Sequence, residues 1–266
     1  MTPITLSAFD LLLAALSLLI ASGLSLLLSL GFHRAMAIAV LRMVAQLVLV
    51  GLLLRYIFAL SSPLVTLGFA AVMILAATWE VQSRQKRQLR GWLRFGLGGL
   101  PVVIATTFVT GMALATALRE AAWLDPRHTI PLVGIILGTV MNSTSLALNT
   151  MLGSVQRERR AIEARLSLGA HSRLALRELR LSAAHNGLIP VINQMAGAGI
   201  ITLPGIMTGQ ILGGMDPLDA ARYQILLMLL LAGAGALGVI LATQLCLAAV
   251  TDKRHRLRLD RLEERG

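Results

Sequence analysis

Cysteine, lysine, aromatic residues and charge are what this chain of 266 residues has least of. Its one cysteine, Cys246, excludes a disulfide framework within the chain. Aromatic residues make up 4% and charged residues 14%, where soluble domains carry about 25% charged residues. The charges fall in clusters. Between them lie apolar runs that reach the roughly 20 residues needed to cross a bilayer. Hydrophobic residues make up 56% and the mean hydropathy is +0.76. This is the composition of a membrane protein.

The net charge of +11 would suit a nucleic-acid binder, but its distribution does not. Basic residues concentrate in Arg84–Arg94, Arg157–Arg180 and Lys253–Arg265, and only Lys86 and Lys253 are lysines. Seven apolar runs stand out: Leu11–Leu30, Ala35–Leu60, Ser61–Trp79, Phe95–Leu118, Thr129–Gln156, Leu181–Met215 and Tyr223–Thr251. If each crosses the bilayer, 19 of the 24 basic residues share one side. The positive-inside rule makes that side cytoplasmic. The expected fold is therefore all-α, a polytopic membrane helical bundle of about seven transmembrane helices, N-terminus outside and C-terminus cytoplasmic. The first run lacks a basic flank and a following cleavage site, so it reads as a retained span.

Two runs carry unusual residues. Ala35–Leu60 contains Arg42, Gln46 and Arg55. Arg55 is near one end and can snorkel to the headgroups. Arg42 has two readings: inside the span and facing protein or a wet cavity, or interfacial with the span starting at Met43. Leu181–Met215 is too long for one crossing and holds Pro190, Pro204 and Gly205. Interior proline removes a backbone hydrogen bond, so a broken helix is expected there. Gly96, Gly98, Gly99 and Pro101 in the fourth run suggest close packing or a bend.

The most informative stretch is Val155–Arg180, VQRERRAIEARLSLGAHSRLALRELR, a charged loop between two spans. Ala161–Leu168 favours helix, and Ile162, Leu166 and Gly169 share one face. Gly169 is placed to end that helix, and Ser172 to cap the next. The expectation is helix, tight turn, helix on the cytoplasmic surface. Glu163-Ala164 with Gly169 six residues beyond the glutamate resembles the EAA loop of ABC transporter permeases. The loop's second alanine is Arg165 here, and its later Ile-x-Leu-Pro is Leu179-Arg180-Leu181-Ser182.

In order along the chain, RMVAQLVLVGLLLRYIF (Arg42–Phe58), NSTSLALN (Asn142–Asn149), EARLSLGA (Glu163–Ala170) and ITLPGIMTGQILGGMDPLDAARYQI (Ile201–Ile225) resemble the FetB family of permeases. The departure in the fifth run is Gly138-Thr139 where the family has Gly-Asn. The resemblance implies one permease domain over 1–266, in the bacterial inner membrane, exporting iron or a related metal. It implies a separate ABC ATPase subunit docked on 155–180 and a homodimer of the permease, in contact with membrane lipid and no nucleic acid. Ile162, Glu163, Ala164, Leu166 and Gly169 would be the coupling residues. No Gly-x-x-x-x-Gly-Lys-Ser/Thr loop occurs in the chain. ATP and Mg would sit on the partner, and this chain would bind no cofactor and be no enzyme.

The candidate substrate pathway comprises Arg42, Gln46, Asn142, Ser145, Asn149, Asn193, Gln194, Met207 and Thr208. Asn142, Ser145 and Asn149 are spaced three and four apart, on one helix face. No carboxylate lies mid-span, so no tightly bound metal is expected. Weak transient sites suffice for an exporter. A chelated metal or an organic substrate is the alternative cargo. An ion-driven secondary carrier is opposed by the absence of mid-membrane carboxylates. An intramembrane serine protease built on Ser143, Ser145 and His185 is opposed by the lack of Gly-x-Ser-x-Gly.

Overall fold

The computed structural model describes residues 7–60, 62–85, 87–89, 91, 93–117, 125–252 and 254–264. Ser61, expected to open the third span, and 119–124 of the loop before the fifth lie outside the described residues. The chain divides into two compact units, Met1–Leu60 and Ser61–Gly266.

The first unit is a pair of helices, α1 (Ala8–Leu27) and α2 (His33–Leu60). A capping box opens α1. The Asp10 carboxylate accepts the Ser7 N–H at 2.8 Å and the Ser7 hydroxyl accepts the Asp10 N–H. That satisfies helix-end donors that lipid cannot. Ser29 and Gly31, both at positive φ, turn the chain into α2.

Among its described residues the second unit contains α3 (Pro63–Ser83), α4 (Leu93–Ala117), α5 (Pro126–Arg157), four further helices, and α10 (Pro217–Val250). α5 is central and packs on α3, α4 and α10. Asp125 and Asp216 cap α5 and α10, each followed by proline at the first helical position. Among the described residues six helices, α1–α5 and α10, are long and apolar enough to cross a membrane. The sixth expected run, Leu181–Met215, is divided between α8 (Arg177–Gly197) and α9 (Gly205–Leu212), and the seventh lies in α10.

Small residues decide the packing, as expected where lipid removes the hydrophobic drive between helices. A methyl group at Gly187 of α8 would lie 2.9 Å from Ala147 and the Ser143 carbonyl of α5, and 2.9 Å from Val239 of α10. One at Gly238 of α10 would meet the Thr144 hydroxyl at 2.8 Å. At Gly99 of α4 it would meet Thr78 of α3 at 2.7 Å. Gly98 and Gly99 thus serve close packing, a methyl at Gly96 would meet nothing within 4 Å, and the helix continues through Pro101.

On the face expected to be cytoplasmic, two short strands depart from the all-helical expectation. β1 (Arg87–Leu89) pairs antiparallel with β2 (Leu262–Glu264), Leu89 opposite Leu262. The C-terminal tail, read from sequence as a basic extension, is therefore ordered. Leu257, Leu259 and Leu262 pack against the core cluster.

Candidate functional site

The charged loop folds into two short helices, α6 (Arg159–Ser167) and α7 (Ser172–Ala175). Glu158 ends α5 and begins α6, so no flexible linker separates them. Gly169 has φ +89°. The Ala170 N–H donates to the Arg165 carbonyl at 3.1 Å, and the Gly169 N–H to the Leu166 carbonyl at 3.0 Å. This pair of bonds is a Schellman closure, which places the residue after the cap in the left-handed region and so favours glycine. Glu163 lies in the middle of α6, so the spacing to Gly169 covers the second half of the helix and its closing turn.

Ile162 and Leu166 point inward. Ile162 is 2% exposed within the core cluster, and half-buried Leu166 packs on the same cluster. The two were expected among the coupling residues, on the small apolar face of the helix. They fasten α6 to the bundle, because the helix is only partly sunk and its apolar stripe is the side that packs. The outer face carries Arg160, Ala164, Ser167 and Leu168, the last 88% exposed. Glu163 is half-buried and forms a 2.8 Å ion pair with Arg159 one turn earlier.

Arg165 stands where the EAA loop has its second alanine, and it has a structural role. Its guanidinium donates to the Ala175 carbonyl at 3.3 Å and to the Glu178 carboxylate at 3.0 Å. It braces α6 against α7 and the start of α8. Ser172 does not cap a helix as expected. His171 occupies the N-cap position of α7, and Ser172 follows it inside the helix. The Ser172 hydroxyl lies 3.1 Å from Nδ1 of His255, whose Nε2 lies 3.1 Å from Nδ1 of His171. The tail thus touches the turn between α6 and α7. Sequence reasoning missed this contact. The signal available was the run of leucines at 257, 259 and 262 in an otherwise polar tail.

The expected pathway residues fall in several surroundings. Arg42 and Gln46 are exposed on α2, which begins at His33 and so carries both inside the helix. Asn142 is exposed and Ser145 buried, while Asn149 donates to the Arg84 carbonyl at 3.3 Å. The Ser145 main-chain carbonyl accepts from Gln85 at 3.3 Å. Asn193 and Gln194 are exposed on α8. Met207 and Thr208 are half-buried on α9, with the Thr208 hydroxyl donating to the Pro204 carbonyl at 3.2 Å.

Of the expected break points, Pro190 lies inside α8 without interrupting it. The interruption is at 198–204, where Gly199 has φ +85° and the Ile201 and Thr202 N–H groups both donate to the Gly197 carbonyl. Pro204 caps α9 and Gly205 starts it. Among the described residues no group of three or more His, Cys, Asp or Glu converges on a metal-sized site.

Over residues 8–250 the chain matches the family model described as "Uncharacterised protein family (UPF0014)". The chain belongs to the UPF0014 family. It is 38% identical over 205 residues to a UPF0014 membrane protein of Synechocystis sp., covering 76% of this chain and 77% of that one. It is 30% identical over 225 residues to "Probable iron export permease protein FetB" of Escherichia coli, covering 84% of each. It is 30% identical over 230 residues to "Protein ALUMINUM SENSITIVE 3" of Arabidopsis thaliana, covering 86% of this chain and 82% of that one. No solved structure matches. The UPF0014 assignment agrees with the resemblance read from the loop and the Pro204-Gly205 segment, and the multi-span helical architecture agrees with a membrane location.

Proposed function

We propose that this chain is the membrane permease subunit of an ABC transporter in the bacterial inner membrane, with 1–266 as its permease domain. A separate ATPase subunit, carrying ATP and Mg, docks on 155–180, and two permease copies act together. The cargo is iron or a related metal, moved outward. The observation that carries the reading is the attachment of α6. Its inner side chain Ile162 is buried in the bundle core, its outer face is open, and Glu158 joins it directly to central α5. A push on the outer face would therefore move α5 as a lever instead of bending a loop. The metal cargo rests on likeness to the probable iron export permease of Escherichia coli.

The test is a pull-down of the tagged chain in mild detergent, with ATPase activity assayed on the eluate. Wild type is expected to bring down an ATPase. Leu168→Arg, which alters only the open face, is expected to lose it while keeping its thermal midpoint. Recovery of no ATPase by wild type, or full retention by Leu168→Arg together with Glu163→Arg, overturns the docking assignment. Metal content of cells with and without the intact pair then tests the cargo.

A further inference from the structure

A second feature of the cytoplasmic face lies away from the coupling loop. The first turns of α4 and the last turns of α10 leave a groove of about 400 Å³ between them. That is within the range of small-ligand sites, about 300–1,000 Å³. Gly96 and Ala248 leave the space open, and Leu100 and Leu245 make its walls apolar. Among the described residues Arg261 is the one charged residue lining it. It comes from a short turn of the tail, Leu259–Arg261, just before β2.

Arg261 is held in place. Its guanidinium donates to the Ala249 carbonyl at 3.0 Å, near the end of α10. A guanidinium has five N–H donors, so this bond leaves capacity for a further acceptor. The neighbouring Asp260 carboxylate is engaged by two bonds from Arg258, at 2.9 and 2.8 Å. It is therefore largely neutralised beside Arg261.

An apolar slot between two membrane-spanning helices, topped by an arginine at the water boundary, matches an amphiphile with an acyl chain and an anionic head. Basic sites between transmembrane helices on the cytoplasmic side suit such headgroups. We propose that this groove binds an anionic glycerophospholipid of the cytoplasmic leaflet. The acyl chain lies along Gly96, Leu100, Leu245 and Ala248, and the phosphate meets Arg261. The lipid then joins α4, α10 and the tail, and steadies the ribbon that β2 forms with β1. The proposal needs the membrane fold but not the ATPase assignment, so either can fail alone.

The experiment uses the full chain, delipidated in detergent and offered equal phosphatidylglycerol and phosphatidylcholine of the same acyl length. Retained lipid is read by native mass spectrometry. Wild type is expected to prefer phosphatidylglycerol by about fivefold, the order expected of one basic side chain near an anionic surface. Arg261→Gln should bring the ratio to about one, and Arg261→Lys should restore most of it. Ala248→Phe, at an exposed position, should lower retention of both lipids. Millimolar inorganic phosphate should displace neither. No preference in wild type, an unchanged ratio in Arg261→Gln, or displacement by phosphate alone overturns the proposal. So does crosslinking of Ala248→Cys to a second copy, which would mean that protein fills the groove.

Discussion

α2 and α5 are both long enough to cross a bilayer, and α2 is the more apolar of the two. Yet α2 buries Ile57 alone among its described residues, while α5 buries a continuous face from Pro126 to Val155. In a membrane, apolarity marks what lipid tolerates and does not mark the core. Small and hydroxyl-bearing side chains mark helix contacts, because they let backbones approach and find bonds across the interface. α5 has Ser143, Thr144 and Ala147 where α8 and α10 come closest. α2 has leucine and valine over the same length, with Gly51 facing open space.

The sharpest way to break this contrast is to give both helices' neighbours the same bulk. Gly187→Leu should abolish recovery of folded protein by size-exclusion chromatography. Overpacking costs about 1–3 kcal/mol and occasionally more, and one of the atoms it meets is the Ser143 backbone, which cannot rotate aside. Gly51→Leu should elute as wild type. Equal behaviour of the two would end the packing argument.

A smaller effect comes from removing bulk. Ile162→Ala should lower stability by about 2–5 kcal/mol, read as a drop in thermal midpoint, because Ile162 is 2% exposed. Ile38→Ala on α2, where the side chain is 65% exposed, should stay within about 0.5 kcal/mol of wild type. Gly169→Ala should cost about 1–2 kcal/mol through left-handed backbone strain. It should loosen α6 without altering the rest of the bundle, which hydrogen exchange of 159–170 would show.

The smallest effect concerns the tail. The bond from Arg258 pulls the Asp260 carboxyl down from 3.8 to about 2. A carboxyl lowered on folding stabilises the folded tail above the unfolded value, and that contribution is lost as pH falls from 3.8 towards 2. Tail proteolysis should therefore rise as pH falls from 3.8 towards 2. No rise over that range would show that another group holds the tail.

Reading the chain as sequence captured what is local. The Gly169 turn was legible because glycine after a helix-favouring run readily takes the left-handed closing conformation. The interruption between α8 and α9 was legible in its glycines and Pro204, although Pro190 misled. Within α8, surrounding contacts hold the helix through a proline that removes one bond. Arg165 looked like a departure from the loop pattern, since its partners, Ala175 and Glu178, lie beyond a turn. The pathway residues gained least. Helical spacing put Asn142, Ser145 and Asn149 on one face, but their exposure differs because the surrounding helices cover α5 unevenly.

Sequence alone determined that the chain is a multi-span helical membrane protein and where α6 stops. Those follow from the cost of exposing charge or unpaired backbone to lipid and from short-range backbone geometry. Only the tertiary structure decided which side of α6 is buried and which of the long helices form the core. It alone showed that the tail closes a ribbon with the α3–α4 connection. Each of these depends on side chains far apart in sequence meeting at small-residue contacts, and no periodicity within a single segment records its partner.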